Sequence, residues 1–284
     1  MDFSAYPLSE RYYGDSEKKI GVLIGNSEYM LKFQTRTAFG LRMNHVSEYL
    51  GCHVFELMGI PAQESYLGRY MGEEVVACKN FIGSGEQFVP FNDVGESTLD
   101  QDRERYQYEY ADVMEMLRDN SKLTHVQETI AAFWQIYVID ALLGNFDRHG
   151  SNWGFIKKDR AYSLAPVFDN GSCLFPQMTD EEEMKRIMTS REETDRHVYT
   201  FPTSQIRLMG KKSSYFEIIH SLAFPECNSA LKSVMERADI RAMERLIEQV
   251  PYTSDARKDF LRHILRARYE GILMKAYLLL EGRA

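Results

Sequence analysis

Gly144-Asn145-Phe146-Asp147-Arg148-His149-Gly150-Ser151-Asn152, with Val167-Phe168-Asp169-Asn170-Gly171 downstream, is the stretch on which the reading of the chain turns. The first segment holds a carboxylate, Asp147, and a carboxamide, Asn152, in Asp-x-x-x-x-Asn spacing, in a polar loop that follows an apolar helical run. The second places Asp169 at the end of a β-prone run, immediately before Asn170-Gly171. Two explanations stand side by side at this level. Asn and Asp are common turn formers, and Asp169-Asn170-Gly171 is a natural Asx turn. The alternative is a site that needs oxygen atoms held at fixed spacing.

Phosphoryl transfer has that need. It asks for a base or orienting group at the acceptor hydroxyl and for Mg²⁺ held by oxygen ligands against the phosphates. Asp147 suits the first role, and Asn152 with Asp169 the second. The spacing is that of a kinase catalytic loop, and Asp169-Asn170-Gly171 stands where a metal-binding Asp-Phe-Gly would stand. Such an enzyme also needs a lysine on an early strand, paired with a glutamate on the next helix, and Lys32 and Glu48 occupy those places. Taken singly, Lys32 could point to solvent and Glu48 could be a helix-surface acid. Upstream, Tyr13-Gly14-Asp15-Ser16-Glu17-Lys18-Lys19 has small polar residues and backbone amides suited to covering phosphates, without the three glycines of a Gly-x-Gly-x-x-Gly loop.

Working outward, Val126, Ile130, Phe133, Trp134, Tyr137 and Ala141 recur at helical spacing after a capping-box pattern at Thr124 to Gln127. Ile136, Ile139 and Leu143 cover another face, which predicts a buried helix. Before it, Ile20–Ile24 and Tyr29–Phe33 flank Gly25-Asn26 as a hairpin, and a helix from Met43 to Leu57 stops at Gly59-Ile60-Pro61. A second β pair, around 64–69 and 74–77, surrounds Gly72, and Gly83 to Asp102 reads as a loop. After the deciding stretch, Asn152–Ile156 and Ala161–Val167 read as strands and the remainder as mostly helical. The expectation is α+β: a two-lobed, protein-kinase-like fold with a small β-rich lobe at 1–82 and a larger, mainly helical lobe at 83–284, forming one domain.

Composition narrows the partners. The 284 residues carry a net charge of −8 with no basic tract, which argues against direct nucleic-acid binding. Cys52, Cys78, Cys173 and Cys227 are scattered without a CxxC pair, so neither a disulfide framework nor a zinc ribbon is expected. Neither a signal peptide nor an apolar run of membrane-spanning length is present, and a cytoplasmic protein is expected. The acidic run Asp180 to Glu183 reads as a solvated helix start, Met178, Met184 and Met188 as packing residues.

The chain resembles the HipA-like kinases, the serine/threonine kinase toxins of bacterial toxin–antitoxin systems, in their C-terminal kinase portion. Gly144-Asn145-Phe146-Asp147-Arg148-His149-Gly150-Ser151-Asn152 is very close to that family's Gly-Asn-x-Asp-Arg-His-x-x-Asn; Leu164-Ala165-Pro166-Val167-Phe168-Asp169, Lys32, Glu48 and Gly14 to Lys18 extend the match. The resemblance implies ATP and Mg²⁺ as cofactors, Asp147 as catalytic base, Asn152 and Asp169 as metal ligands, and Lys32 on the phosphates. It also implies phosphate-loop contacts from Gly14, Asp15, Ser16 and Lys18, His149 near the nucleotide, and an adenine hinge at Ala77-Cys78-Lys79. A protein substrate, translation-related by analogy, is implied as partner, with an antitoxin or a separately encoded N-terminal domain. The sequence departs from the family at Ser16, where a glutamine is usual, at Arg11, where the toxins' regulatory serine would fall, and at Cys78, where an acid is usual. Two other functions fit the same loop: a small-molecule kinase of the antibiotic-phosphotransferase sort, and a pseudokinase that only binds a partner. Thr203 to Arg207 and Lys211-Lys212 are candidates for an acceptor surface, or else a solvated face.

Overall fold

Strands β1 (Lys19–Ile24) and β2 (Ser27–Phe33) fold onto each other through a turn at Gly25, whose φ of +60° suits a residue without a side chain. The structure is a computed structural model and describes residues 1–11, 18–38, 40–94, 109–119 and 125–282. After a short hairpin of β3 (Arg36–Thr37) and β4 (Gly40–Leu41) comes helix α1 (Asn44–Leu57). β5 (Ser65–Tyr70) and β6 (Glu73–Lys79) then complete a four-stranded antiparallel sheet in the order β1-β2-β6-β5.

Strand alternation sorts the residues of β2. Tyr29, Leu31 and Phe33 join Phe3, Val22, Val75 and Ala77 in a small core on one face of the sheet. Lys32 is directed to the other face, where α1 packs with Val46, Leu50, Val54 and Phe55 buried. α1 ends as its sequence dictates, at Gly59 with φ +70° before Pro61.

The second part is built around α3 (Val126–Leu143), behind α2 (Tyr110–Asp119). α3 is buried along both expected faces, Trp134, Val138 and Leu142 included. Its capping box falls partly on Thr124, outside the described residues, and the N-cap position is His125, without a side-chain cap bond. Six helices follow at α4 (Glu181–Thr189), α5 (Arg191–Asp195), α6 (Tyr215–Ser221), α7 (Pro225–Arg237), α8 (Ile240–Glu248) and α9 (Asp255–Arg268), and α9 leads through a π turn into α10 (Lys275–Leu280). Asp180 caps α4 by accepting the amides of Glu182 and Glu183, so the acidic run is a helix start, and Met178 and Met184 are buried in the core. Among the described residues no helix is long and apolar enough to cross a membrane, and the four cysteines are free and buried.

Two expectations are corrected. The composition from Gly83 to Asp102 predicts a loop, but Glu86–Pro90 is a strand, β7, in a sheet of order β7-β8-β9 with β8 (Gly154–Lys158) and β9 (Ala161–Leu164); residues 95–102 lie outside the described residues. β7 takes its hydrogen bonds from a partner far along the chain, which local composition cannot register. The region read as mostly helical after β9 contains the hairpin β10 (Thr203–Leu208) and β11 (Lys211–Ser214). Its turn, Met209-Gly210, has positive φ at both positions, the geometry that matches strand twist.

Candidate active site

The deciding loop begins where α3 ends. Gly144, in the left-handed region at φ +63°, caps the helix by donating its N–H to the Asp140 carbonyl. Asn145 then acts on both sides: its Nδ2 donates to Asp140 Oδ1 at 2.9 Å and its Oδ1 accepts the Asp147 amide at 3.0 Å. Tyr215 Oη fixes the Asn145 carbonyl at 2.6 Å. Asn152, itself buried, donates Nδ2 to the Asp147 carbonyl at 2.8 Å, so its amide nitrogen is committed within the loop. The loop is thus folded on its own side chains, and the turn-forming role of these residues is real. It holds the Asp147 carboxyl half-exposed at the surface, with His149 Nε2 3.9 Å away. Burial raises the Asp147 carboxyl above its ordinary value, against the pull of His149, and the nearby Asp169 charge adds to the rise.

Asp169 sits at φ +56°, a strained setting that an aspartate tolerates better than most residues. Lys32 Nζ lies 3.0 Å from both Glu48 Oε2 and Asp169 Oδ1. The Lys32 ammonium holds the carboxyl of Asp169, a side chain 42% exposed, below its ordinary range against the partial loss of solvent around it. Burial alone would lower Lys32, but Asp169 and Glu48 together keep it well above the usual lysine value. Lys32 therefore does not point to solvent, and Glu48 is not a surface acid: the two are 7% and 1% exposed.

Arg148 joins the two loops. Its guanidinium meets Asp140 through Nε at 2.9 Å and Nη2 at 3.0 Å, the Asn152 and Phe168 carbonyls through Nη1 at 3.2 and 2.5 Å, and Asn170 Oδ1 through Nη2 at 2.5 Å. α1 closes on the same loop. A Cβ on Gly51 would stand 2.4 Å from that of Asn170, so only glycine admits the approach, and Asn170 Nδ2 donates to Cys52 Sγ at 3.2 Å.

The structure thus brings Lys32, Glu48 and Asp169 into contact and places Asp147, His149 and Asn152 in one loop. Gly14, Asp15 and Ser16 fall outside the described residues. Lys18 is placed elsewhere: its Nζ pairs with Glu73 at 2.5 Å and lies 4.0 Å from the Phe33 ring, a residue of the opposite sheet face. The hinge expectation at Cys78 and Lys79 is also displaced. β6 is an inner strand paired on both sides, the Lys79 amide donates to Glu64 O, its carbonyl accepts from Gln63 Nε2, and its Nζ pairs with Glu64 at 2.8 Å. Backbone groups already spent in a sheet are not available to an adenine ring. The chain leaves the sheet two residues later at Phe81, whose ring packs with Phe88 and Phe168.

Sequence reasoning passed over Arg148 and Asp140 as site residues. Arg148 stood inside the quoted motif, and Asp140 was visible as a lone acid in an otherwise apolar stretch of α3.

A small antiparallel sheet carrying a buried lysine–glutamate pair, set against a mainly helical part with an Asp…Asn and Asp loop pair, is the arrangement of a protein-kinase-like enzyme. Residues 16–255 match the model of the HipA-like C-terminal domain, and the chain belongs to that family. It is 31% identical over 98% of its length to the serine/threonine-protein kinase CtkA of Helicobacter pylori, 87% of which is covered. The crystal structure of the proinflammatory kinase CtkA from Helicobacter pylori superposes with a TM-score of 0.93 at 28% identity, over 100% of this chain and 99% of that one. HipA of Shewanella oneidensis, solved with HipB and operator DNA, shares the fold at a TM-score of 0.59 and 14% identity, over 95% of this chain and 65% of that one. The chain is an enzyme, a serine/threonine protein kinase, and a kinase implies ATP as phosphoryl donor.

Proposed function

We propose that the chain transfers the γ-phosphoryl group of ATP to a serine or threonine hydroxyl of a protein, with Asp147 as base, Asn152 and Asp169 as Mg²⁺ ligands and Lys32 on the nucleotide phosphates. The observation that supports this most is the Lys32 ammonium, buried on the sheet side and bridging Glu48 and Asp169 at 3.0 Å each. Glu48 fixes the lysine in place, and its second partner is the carboxylate that the reaction requires elsewhere. The donor set fits Mg²⁺. Asp169 is held ionised, and Asn152 has its amide nitrogen committed, which leaves Oδ1 as its ligand atom. No cluster of three or more His, Cys, Asp or Glu exists among the described residues, as suits an ion that takes one or two protein ligands and fills its shell with phosphate and water. When bound, the ion neutralises charge on the transferring phosphates.

Asp147 orients the acceptor hydroxyl and takes its proton as the bond to phosphorus forms. Its raised affinity for protons suits that role. His149 stands beside it on the nucleotide side. By the family likeness Gly14, Asp15 and Ser16, which lie outside the described residues, are the phosphate-loop contacts, and we assign the adenine contact to Phe81, where the chain leaves the sheet, in place of Cys78 and Lys79. Residues 1–82 and 83–284 are the two lobes of one domain, with the boundary between Lys79 and Glu86, since β7 pairs with β8.

The test is incorporation of label from γ-labelled ATP and Mg²⁺ into protein, alone and with lysate, beside Asp147→Ala. The variant should lose about 10²- to 10⁴-fold in rate. Tight ATP binding with no label incorporated by the wild-type chain would sink the reading. By analogy with the family we extend the proposal to a toxin–antitoxin role in the cytoplasm, a translation-related substrate and an antitoxin or separate N-terminal domain as partner. Growth arrest on expression, absent with Asp147→Ala, is its expected sign; equal growth of both strains would remove it.

A further inference from the structure

The β10–β11 hairpin carries cations that the phosphotransfer machinery does not use. Ser204 and Ile206 of β10 and Ser213 of β11 are buried, so strand alternation directs Gln205, Arg207 and Lys212 to the opposite face. Arg207 and Lys212 are directly opposed across the two strands. That face is docked on the catalytic loop, because Gln205 Nε2 donates to the Phe146 carbonyl at 2.6 Å, one residue before Asp147. Lys212 is near enough for its charge to favour the ionised form of Asp147, in the same sense as His149. Its side chain is exposed, as is that of Lys211. The hairpin therefore borders Asp147 with positive charge, whereas Lys32 and its two carboxylates border the other loop.

We propose that the β10–β11 hairpin is the acceptor platform of this kinase, and that Lys212 selects protein substrates whose acceptor serine or threonine is flanked by Asp or Glu. The proposal rests on the phosphotransfer reading above and deepens it. A chain of net charge −8 repels acidic segments at long range, so a preference for them must come from a local cation. Contact between the Lys212 ammonium and a flanking carboxylate brings the acceptor hydroxyl to Asp147. The same ammonium rejects a basic segment by like-charge repulsion. Lys212 is a specificity residue here: it touches the acceptor segment and not the nucleotide.

The experiment compares the wild type, Lys212→Glu and Lys185→Glu on a positional Ser/Thr peptide library. Lys185 is an exposed cation on α4, paired with Glu182, and controls for the change in net charge. The wild type and Lys185→Glu should favour acidic over basic flanks by about fivefold in kcat/KM, and Lys212→Glu should invert that order. Lys212→Ala should raise KM for the acidic peptide with KM for ATP unchanged. The same flank preference in all three proteins, or a Lys212→Ala effect confined to KM for ATP, overturns the assignment. Labelled peptides without acidic preference overturn the platform and leave the kinase reading intact; no labelled peptide at all removes both.

Discussion

Two buried groups of charge meet at Phe168-Asp169-Asn170, and they are built in different ways. Around Arg148 every donor is used: five N–H groups meet Asp140, Asn170 and two carbonyls, with the Asp140 carboxylate 1% exposed. Around Lys32 one acceptor is buried, Glu48, and the other, Asp169, is 42% exposed and sits on strained backbone. In a low-dielectric interior, a fully satisfied network is rigid because each broken bond leaves an unpaired group behind. A pair with one solvated partner exchanges it at small cost. Arg148 is therefore the frame that spaces the loops, and Lys32–Asp169 is the contact that, on the proposed function, would open to phosphate and cation.

The largest expected effect breaks that frame. Arg148→Met should cost about 3–5 kcal/mol in urea unfolding, because it strands the buried Asp140 carboxylate, and should abolish phosphotransfer with it. Replacing both partners, with Asp140→Leu added, should recover much of the stability and none of the activity. A loss under about 1 kcal/mol in the single variant would mean the network is ornamental and the loops are spaced by packing.

How much of this was legible beforehand follows the range of the interactions. The β1–β2 hairpin, α1 with its Gly59 stop and α3 are short-range structures written in periodicity and turn residues, and they stand where the patterns placed them. The pairing of Lys32 with Glu48 was visible only as position in a motif; their burial depends on a sheet face and a helix meeting, which no single segment encodes. β7 was missed because its partner, β8, lies far downstream, and β10–β11 because Met209-Gly210 is a turn without an Asn-Gly signature. The hinge at Cys78 and Lys79 was carried over by likeness, and it yielded to the fact that β6 is an inner strand. Arg148 gives no sign of its role in the sequence, since an arginine in a polar loop looks solvated until Asp140 is seen beneath it.

A smaller effect probes the exchangeable side. Glu48→Gln keeps the shape of the residue and removes the charge that anchors Lys32, which leaves the ammonium to Asp169 alone. Stability should fall by about 1–2 kcal/mol. On the proposed role of Lys32, kcat/KM should fall about tenfold, with a rise in KM for ATP, because the remaining partner competes with phosphate for the ammonium. Unchanged KM for ATP would show that Lys32 is positioned by the strand itself and that Glu48 serves stability only.

The smallest effect separates the two sides by pH. Asp147 is raised above the ordinary aspartate value of 3.8, mainly by burial, and Asp169 is held below it, mainly by Lys32. The base form of Asp147 is lost as pH falls through that raised value, so the acid limb of kcat/KM should lie above pH 3.8. The stability that Asp169 contributes is present above its unfolded value and is lost only as pH falls through its lowered folded value. Protonation of Asp147 relieves a partly desolvated charge and so works against acid unfolding. Activity should therefore decline while the fold, followed by circular dichroism, is intact, and the gap between the two transitions measures how differently the carboxyls are held. Coincident loss of activity and structure would instead tie both aspartates to one network, and the division between a fixed frame and an exchangeable contact would not stand.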